Sequence, residues 1–265
     1  MNNNILKILA DCTRVRVEKN KQEISSEKMK AMALAMNLDT GFPFEKALKK
    51  QGMSFICEIK KASPSKGVIA EEFPYKDIAV EYEQAGASAI SVLTETDYFL
   101  GSDKYLNEIS KLVNIPILRK DFTIDEYMIY QAKVLGASAV LLICSLLDTK
   151  TIKKYIKICD ELGLSALVEA HNIVEIESAV KAGARIIGVN NRNLNDFNVD
   201  INNCIDLRNL VSDDIIFVGE SGIKTAKDIK MMKKAKIDAV LIGETFMRSN
   251  NKKEMLENLK GGEII

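Results

Sequence analysis

QAGASAISVL, residues 84–93, is followed by two near-copies of itself, VLGASAVLLI at 134–143 and KAGARIIGVN at 181–190. Each ends a helix-like stretch, places a glycine, and runs into an apolar segment. AKIDAVLIGE at 235–244 is a looser fourth copy without the glycine. A glycine after a helix supplies the left-handed residue that stops it. A short apolar run after such a stop reads as a parallel strand buried on both faces. Gly136 lies 50 residues beyond Gly86, and Gly183 lies 47 beyond Gly136. Each interval is too long for one βα unit and fits two.

Filling the intervals gives strands at 54–59, 88–93, 115–119, 138–143, 164–169, 185–190, 215–219 and 238–242. Helix-length segments lie between them. Ile124, Tyr127, Met128, Gln131 and Leu135 keep near-helical spacing in 123–135, as do Ile152, Tyr155, Ile156, Cys159 and Leu162 in 150–162. Alternation of strand and helix through eight units predicts a parallel sheet. Eight units in about 200 residues predict a closed (β/α)8 TIM barrel. The rival is an open, doubly wound sheet, whose first strand normally ends in a Gly-rich nucleotide turn. Here that turn reads KKASPSKG.

Residues 1–50 form a helical N-terminal extension, 54–250 the barrel, and 251–265 a final helix and tail. Ile5, Ile8, Leu9 and Cys12 make one helical stripe of the extension, and Met29, Met32, Ala33 and Met36 another. The extension is expected to pack on the barrel, with part of it covering the mouth. No linker or low-complexity stretch divides the 265 residues, so the chain reads as one domain.

Composition excludes several function classes. Lys+Arg and Asp+Glu balance at 37 each, so nothing steers the chain to nucleic acid or an anionic membrane. No apolar run reaches the roughly 18 residues of a membrane span. The opening MNNNILKILADC lacks the core of a signal peptide, and a cytoplasmic enzyme is expected. Cys12, Cys57, Cys144, Cys159 and Cys204 are scattered and odd in number, which suits reduced thiols. With His171 as the single histidine, a multi-histidine metal site is excluded, and no carboxylate cluster asks for magnesium. No metal is expected. Acid–base work then falls to Lys and Glu. A capping or solvated role is expected for His171.

In such barrels the active site sits at the C-terminal ends of the strands. Those ends are polar here: Glu58 and Lys60; Thr94 and Glu95; Arg119, Lys120 and Asp121; Glu169; Asn190, Asn191 and Arg192; Glu220 and Ser221; Gly243 and Glu244. The opposite ends are bland. Loops that simply start polar would account for Thr94 and Asp121, but not for Glu58, because Ile59 follows it within the strand. Residues i and i+2 of a strand share a side, so Glu58 and Lys60 are expected to face inward above Ile56. VGESGI (218–223) and IGETF (242–246) set glycine and small polar residues between a strand and a helix, where backbone N–H groups and a helix N-terminus can seat phosphate. Lys120 and Glu169 form the best acid–base pair, the lysine as proton donor and the glutamate as acceptor and returner.

CEIKKASPSKG (57–67), LTE with YF and GS (93–102), LRKDF (118–122), LVE (167–169), GVNNR (188–192), ESGI (220–223) and IGETFMR (242–248) together resemble the indole-3-glycerol phosphate synthase family. The likeness covers nearly the whole chain. It implies ring closure of 1-(2-carboxyphenylamino)-1-deoxyribulose 5-phosphate with loss of CO2 and water, in tryptophan biosynthesis, with no cofactor. It implies Lys120 as general acid on the ketone oxygen and Glu169 as acid–base partner in the dehydration. Lys60 would bind an anionic group of the substrate, Glu58 would orient the lysines, and Asn190 would hold a hydroxyl or water beside Arg192. Ser221, Gly222, Gly243 and the Glu244 backbone would cradle phosphate, and Phe99, Phe122 and Leu141 would enclose the aromatic ring. Ser63 and Glu220 complete the expected substrate contacts. Glu244 stands where many relatives have a small residue, so its side chain must point away from the phosphate. The expected partner is the small phosphate ester alone, with a monomer as the working expectation that no residue pattern dictates. Competing readings are another phosphate-binding barrel, such as a sugar-phosphate isomerase or a thiazole synthase-like enzyme, and a non-catalytic phosphate-sensing barrel.

Overall fold

The computed structural model describes residues 5–193 and 197–261; the first four residues of the extension and the last four of the tail lie outside them. Eight parallel strands close a barrel in sequence order. They are β1 (Ser54–Ile59), β2 (Ala89–Leu93), β3 (Ile117–Lys120), β4 (Ala139–Ile143), β5 (Ser165–Ala170), β6 (Ile186–Asn190), β7 (Ile216–Glu220) and β8 (Ala239–Ile242). Closure is visible at one residue: Ile56 of β1 stands opposite both Ala89 of β2 and Leu241 of β8.

Strand alternation sorts the core into two. Ile56, Leu118, Leu141, Leu167, Ile186, Val218 and Leu241 fill the barrel, while Phe55, Cys57, Ile59, Val140, Val168 and Val240 pack outward against the helices. Gly136 and Gly183 end their helices at φ 91° and 88°, the left-handed stops the repeat requires.

The third strand is displaced from its expected 115–119 toward 117–120. Pro116 has no N–H to give a neighbour, and the Ile115 N–H donates to Glu83 Oε1 at 3.2 Å rather than to a strand. The helix expected from 123 starts at Glu126, because the Asp125 carboxylate accepts from the Tyr127 N–H at 2.8 Å and caps it there.

The extension holds three helices, α1 (Ile5–Glu23), α2 (Ser26–Leu34) and α3 (Pro43–Leu48). The buried line of α1 is Leu6, Leu9, Ala10, Thr13 and Val17, with Ile5, Ile8 and Cys12 only half-buried. Met29 and Ala33 of α2 are buried, whereas Met32, and Met36 beyond the helix end, are exposed, so the expected methionine stripe is only half a packing face.

The extension is stitched to the barrel from top to bottom. Arg16 of α1 donates to Asp121 Oδ1 at 2.6 Å and to the Thr94 carbonyl at 3.0 Å. Lys21 Nζ reaches Asp125 Oδ2 at 2.8 Å. Lys133 Nζ donates to the Asn37 carbonyl at 2.7 Å, and Thr40 Oγ1 to the Gly163 carbonyl at 2.6 Å. α3 then inserts Phe44 and Leu48 into the interior cluster. Its Glu45 accepts from Arg185 Nη2 at 2.8 Å and from Ser165 Oγ, at the start of β5, at 3.3 Å. No helix among the described residues is long and apolar enough to cross a membrane.

Candidate active site

The site grows from the alternation of β1. Ile56 belongs to the interior layer, so Glu58, two residues on, faces the same way at the mouth. Glu58 is buried, and its Oε1 lies 2.6 Å from Lys60 Nζ. The Gly243 backbone approaches so closely that a side chain there would collide with Glu58 and come within 3.1 Å of Lys60 Nζ. Burial opposes the Glu58 charge, but Lys60 and Lys120 outweigh it and hold the carboxyl below its usual range.

Lys120, at the end of β3, sits between two carboxylates. Its Nζ is 3.3 Å from Glu220 Oε2 on β7 and 3.4 Å from Glu169 Oε2 on β5. Glu220, expected among the substrate contacts, lines the cleft and pairs there with Lys120. Gly188 of β6 makes room for it, since a Cβ there would strike Glu220 Oε1. Burial works to discharge Lys120, but Glu220, Glu169 and Glu58 overcome it and raise its pKa. Burial raises Glu220 to about 8, with Glu169 and Glu58 adding to the push and Lys120 opposing it. Glu169 moves the other way: burial is outweighed by Lys120, His171 and a hydrogen bond from Asn190. The Asn190 Nδ2 donates to Glu169 Oε1 at 3.5 Å. The two neighbouring carboxyls are thus pushed in opposite directions, Glu220 up and Glu169 down, the kind of divergence that separates acid from base.

Above this floor the walls are apolar. Phe99 and Phe122 face each other with ring centroids 6.1 Å apart, and Leu141 of β4 lies among the lining side chains. The loop carrying Phe99 is held by Glu95, which is fully buried and accepts from the N–H groups of Asp97, Tyr98 and Phe99 at 2.9, 2.9 and 2.8 Å. Ser63 sits in a two-residue hairpin pair, Ala62–Ser63 with Gly67–Val68. Arg192 follows Asn190, whose Oδ1 accepts its N–H at 3.0 Å.

Two loops offer backbone donors. Ser221 and Gly222 both have positive φ, 67° and 82°, and both line the cleft. The helix after them begins only at Ala226, where Thr225 and Asp228 already form a capping box. In the second loop, Gly243 leads into the short helix Glu244–Met247. Glu244 Oε1 accepts from Arg248 Nε at 3.1 Å, and both residues line the cleft.

All fifteen residues expected at the site line one cleft of about 860 Å³. Ile5, Leu6 and Leu9 of α1 line it as well. Thr94 and Asp121, read from the sequence as ordinary polar loop starts, are instead buried in a network: Thr94 Oγ1 donates to Asp121 Oδ2 at 2.5 Å and accepts from Arg119 Nε at 3.1 Å. Arg119 lies outside the barrel wall and also reaches Asp103 at 2.7 Å and the Met128 carbonyl at 3.0 Å. The signal was available, because alternation points Arg119 away from Lys120 and into the helix layer, where a cation needs acids. His171 shows the local contact of a capping residue, its N–H donating to Glu175 Oε2 at 2.8 Å, rather than a solvated side chain. It is mostly buried, with Nδ1 2.9 Å from Glu175 Oε2 and Nε2 3.4 Å from Glu169 Oε1.

Solved structures share the fold at low identity. A 3-hexulose-6-phosphate synthase matches 79% of this chain and 99% of its own with a TM-score of 0.63 at 16% identity. A thiamine phosphate pyrophosphorylase from Pyrococcus furiosus matches with a TM-score of 0.58 at 16% identity, over 79% of this chain and 94% of its own. Sequence relatives are far nearer. The indole-3-glycerol phosphate synthase of Ruminiclostridium cellulolyticum is 58% identical over 97% of this chain and 99% of its own length. That of Endomicrobium trichonymphae is 55% identical over the same shares. Residues 6–259 match the sequence model of that family, so the chain belongs to the indole-3-glycerol phosphate synthases.

Proposed function

We propose that Lys120 is the general acid and Glu169 the acid–base group of the ring closure that defines the family. The chain is a carboxy-lyase of tryptophan biosynthesis acting on 1-(2-carboxyphenylamino)-1-deoxyribulose 5-phosphate. The ring carbon that bears the carboxylate attacks the ketone carbon while Lys120 protonates the ketone oxygen. The carboxylate leaves as CO2 and its bond electrons return to the aromatic ring. The new hydroxyl takes its proton from the Lys60 ammonium, which shares the mouth with Lys120, and leaves as water, while the methylene beside nitrogen gives its proton to Glu169.

The observation that carries the reading is the placement of Lys120 Nζ, 3.4 Å from Glu169 and 3.3 Å from Glu220, beneath an apolar slot lined by Phe99, Phe122 and Leu141. Carboxylates keep the ammonium charged and ready to donate, and the slot keeps water from the cationic intermediate. Lys60 takes an anionic group of the substrate, Glu58 orients the two lysines, and Asn190 with Arg192 holds a hydroxyl. Ser63 and the backbone of Ser221, Gly222, Gly243 and Glu244 meet the phosphate end. On this reading the enzyme works in the cytoplasm, as a monomer whose cleft is complete within one chain.

Product fluorescence tests it directly. Lys120→Ala and Glu169→Gln should each lower kcat by about 10²-fold or more, the usual scale for acid–base groups, with KM far less affected. Near-native turnover in Lys120→Ala would move the acid to Lys60.

A further inference from the structure

The reaction consumes a proton. The oxygen that leaves as water gains two, and the methylene carbon beside nitrogen loses one. Loss of CO2 from a carboxylate moves none, because the bond electrons stay with the ring. One proton must therefore come from solvent in each cycle. It must reach Lys120 and Glu169 on the floor of the cleft, where Glu169 is 2% exposed and the bound substrate would lie above it.

A polar line runs out behind Glu169. His171 Nε2 lies 3.4 Å from Glu169 Oε1 and is buried with no hydrogen-bond partner of its own. On its other side Nδ1 is 2.9 Å from Glu175 Oε2. Glu175 Oε1 accepts from Ser145 Oγ at 2.7 Å, and Ser145 is exposed. Ser145, His171 and Glu175 border a side cavity of about 520 Å³ that meets the main cleft at Leu6, Asn190 and Arg192. The series Lys120, Glu169, His171, Glu175 links substrate to solvent with no step longer than 3.4 Å.

We propose that His171 is the proton relay of this enzyme, a positioning residue that touches no substrate and returns to Glu169, and through it to Lys120, the proton spent in each turnover. The inference rests on the acid–base role of Glu169. The doubly protonated ring gives its Nε2 proton to the Glu169 carboxylate and is left as the Nδ1–H form, bonded to Glu175. It regains a proton from water or buffer when the ring turns toward the side cavity. The charged groups facing the ring are Glu169 from its own strand, Glu175 from the following helix and Glu220 from β7, with Arg192 and Asp200 across the cavity. Burial disfavours the charged ring, but Glu175, Glu169 and Glu220 outweigh it and raise its pKa above the ordinary histidine value.

Stopped-flow product fluorescence separates a relay from a structural role. In His171→Gln the first equivalent of product should form at the wild-type rate, because the proton donors of the cleft start loaded. Later turnovers should be about tenfold slower, with imidazole in the buffer restoring them and KM nearly unchanged. If His171→Gln does not fold, Glu175→Gln carries the test with the same signature. Wild-type steady-state turnover overturns the relay, as does a first turnover slowed equally with no response to imidazole. Glu169→Gln run in parallel keeps the two readings apart. An inactive Glu169→Gln beside a wild-type His171→Gln removes the relay alone, whereas an active Glu169→Gln removes the role of Glu169 itself.

Discussion

Glu220 carries the least comfortable charge at the mouth. It shares Lys120 with Glu169 on a floor where Glu58 also lies, and its pKa is raised to about 8. A glutamate in an unfolded chain titrates near about 4.3. Between that value and about 8 the folded protein holds a proton that the unfolded chain has released. The contribution of this group to stability is therefore fully present at low pH and is lost as pH rises through the window. Glu220→Gln removes the titration, so its Tm should fall less steeply than wild type from about pH 5 to about pH 8. Parallel curves for the two proteins would place the shifted proton elsewhere. At this scale the sequence was most legible where alternation applied: Glu58 and Lys60 stand above Ile56 as the two-residue period requires. It was least legible at His171, because Glu175 at i+4 reads as a local cap. The facing of Glu169 toward the same ring depends on how β5 ends.

The elements show why the extension was harder to read than the barrel. A strand buried on both faces advertises itself as an apolar run, and all eight were found within two residues at either end. Helix α1 instead buries Thr13, beneath Arg16 whose Nη2 lies 3.4 Å from Thr13 Oγ1, so an apolar count misplaces its stripe. Arg16 is the bolt of this helix. Its partner Asp121 is fully buried, and the pair measures 2.6 Å. Burial opposes the charge of Arg16, but Asp121 overcomes it and raises its pKa. Removing one member of a buried pair strands the other; with Thr94 and Arg119 still beside Asp121, Arg16→Ala should cost about 3 kcal/mol, the low end for such a break. Chemical denaturation measures it, and a loss below about 1 kcal/mol would mean that water screens the pair as at a surface. Because Ile5, Leu6 and Leu9 line the cleft from the same helix, KM should rise in this variant as well.

Across the whole molecule the two ends of the barrel have separate tasks. The C-terminal ends of the strands gather the buried Glu58, Glu169 and Glu220 and the half-buried Lys60 and Lys120, a set of ionisable groups that costs stability and serves the reaction. The N-terminal ends are bland and are closed from below by α3, whose Phe44 and Leu48 complete the interior cluster with Ile56, Leu118 and Ile186. The bland end was legible in the sequence, but its plug was not. GFPF at 41–44 reads as a turn, with Phe42 at φ 53° and Pro43 starting the helix, and only tertiary packing shows where Phe44 goes. The division predicts that stability and rate can be damaged independently. Phe44 is fully buried and remote from the acid–base pair. Phe44→Ala should therefore destabilise the protein by about 3–5 kcal/mol, the range for emptying a core phenylalanine site. Its kcat, measured well below the lowered Tm, should stay within about twofold of wild type, since no group that moves a proton is touched. A large loss of kcat in a still-folded Phe44→Ala would show that the packing of the lower layers sets the position of Lys120, and that the two ends are one mechanical unit.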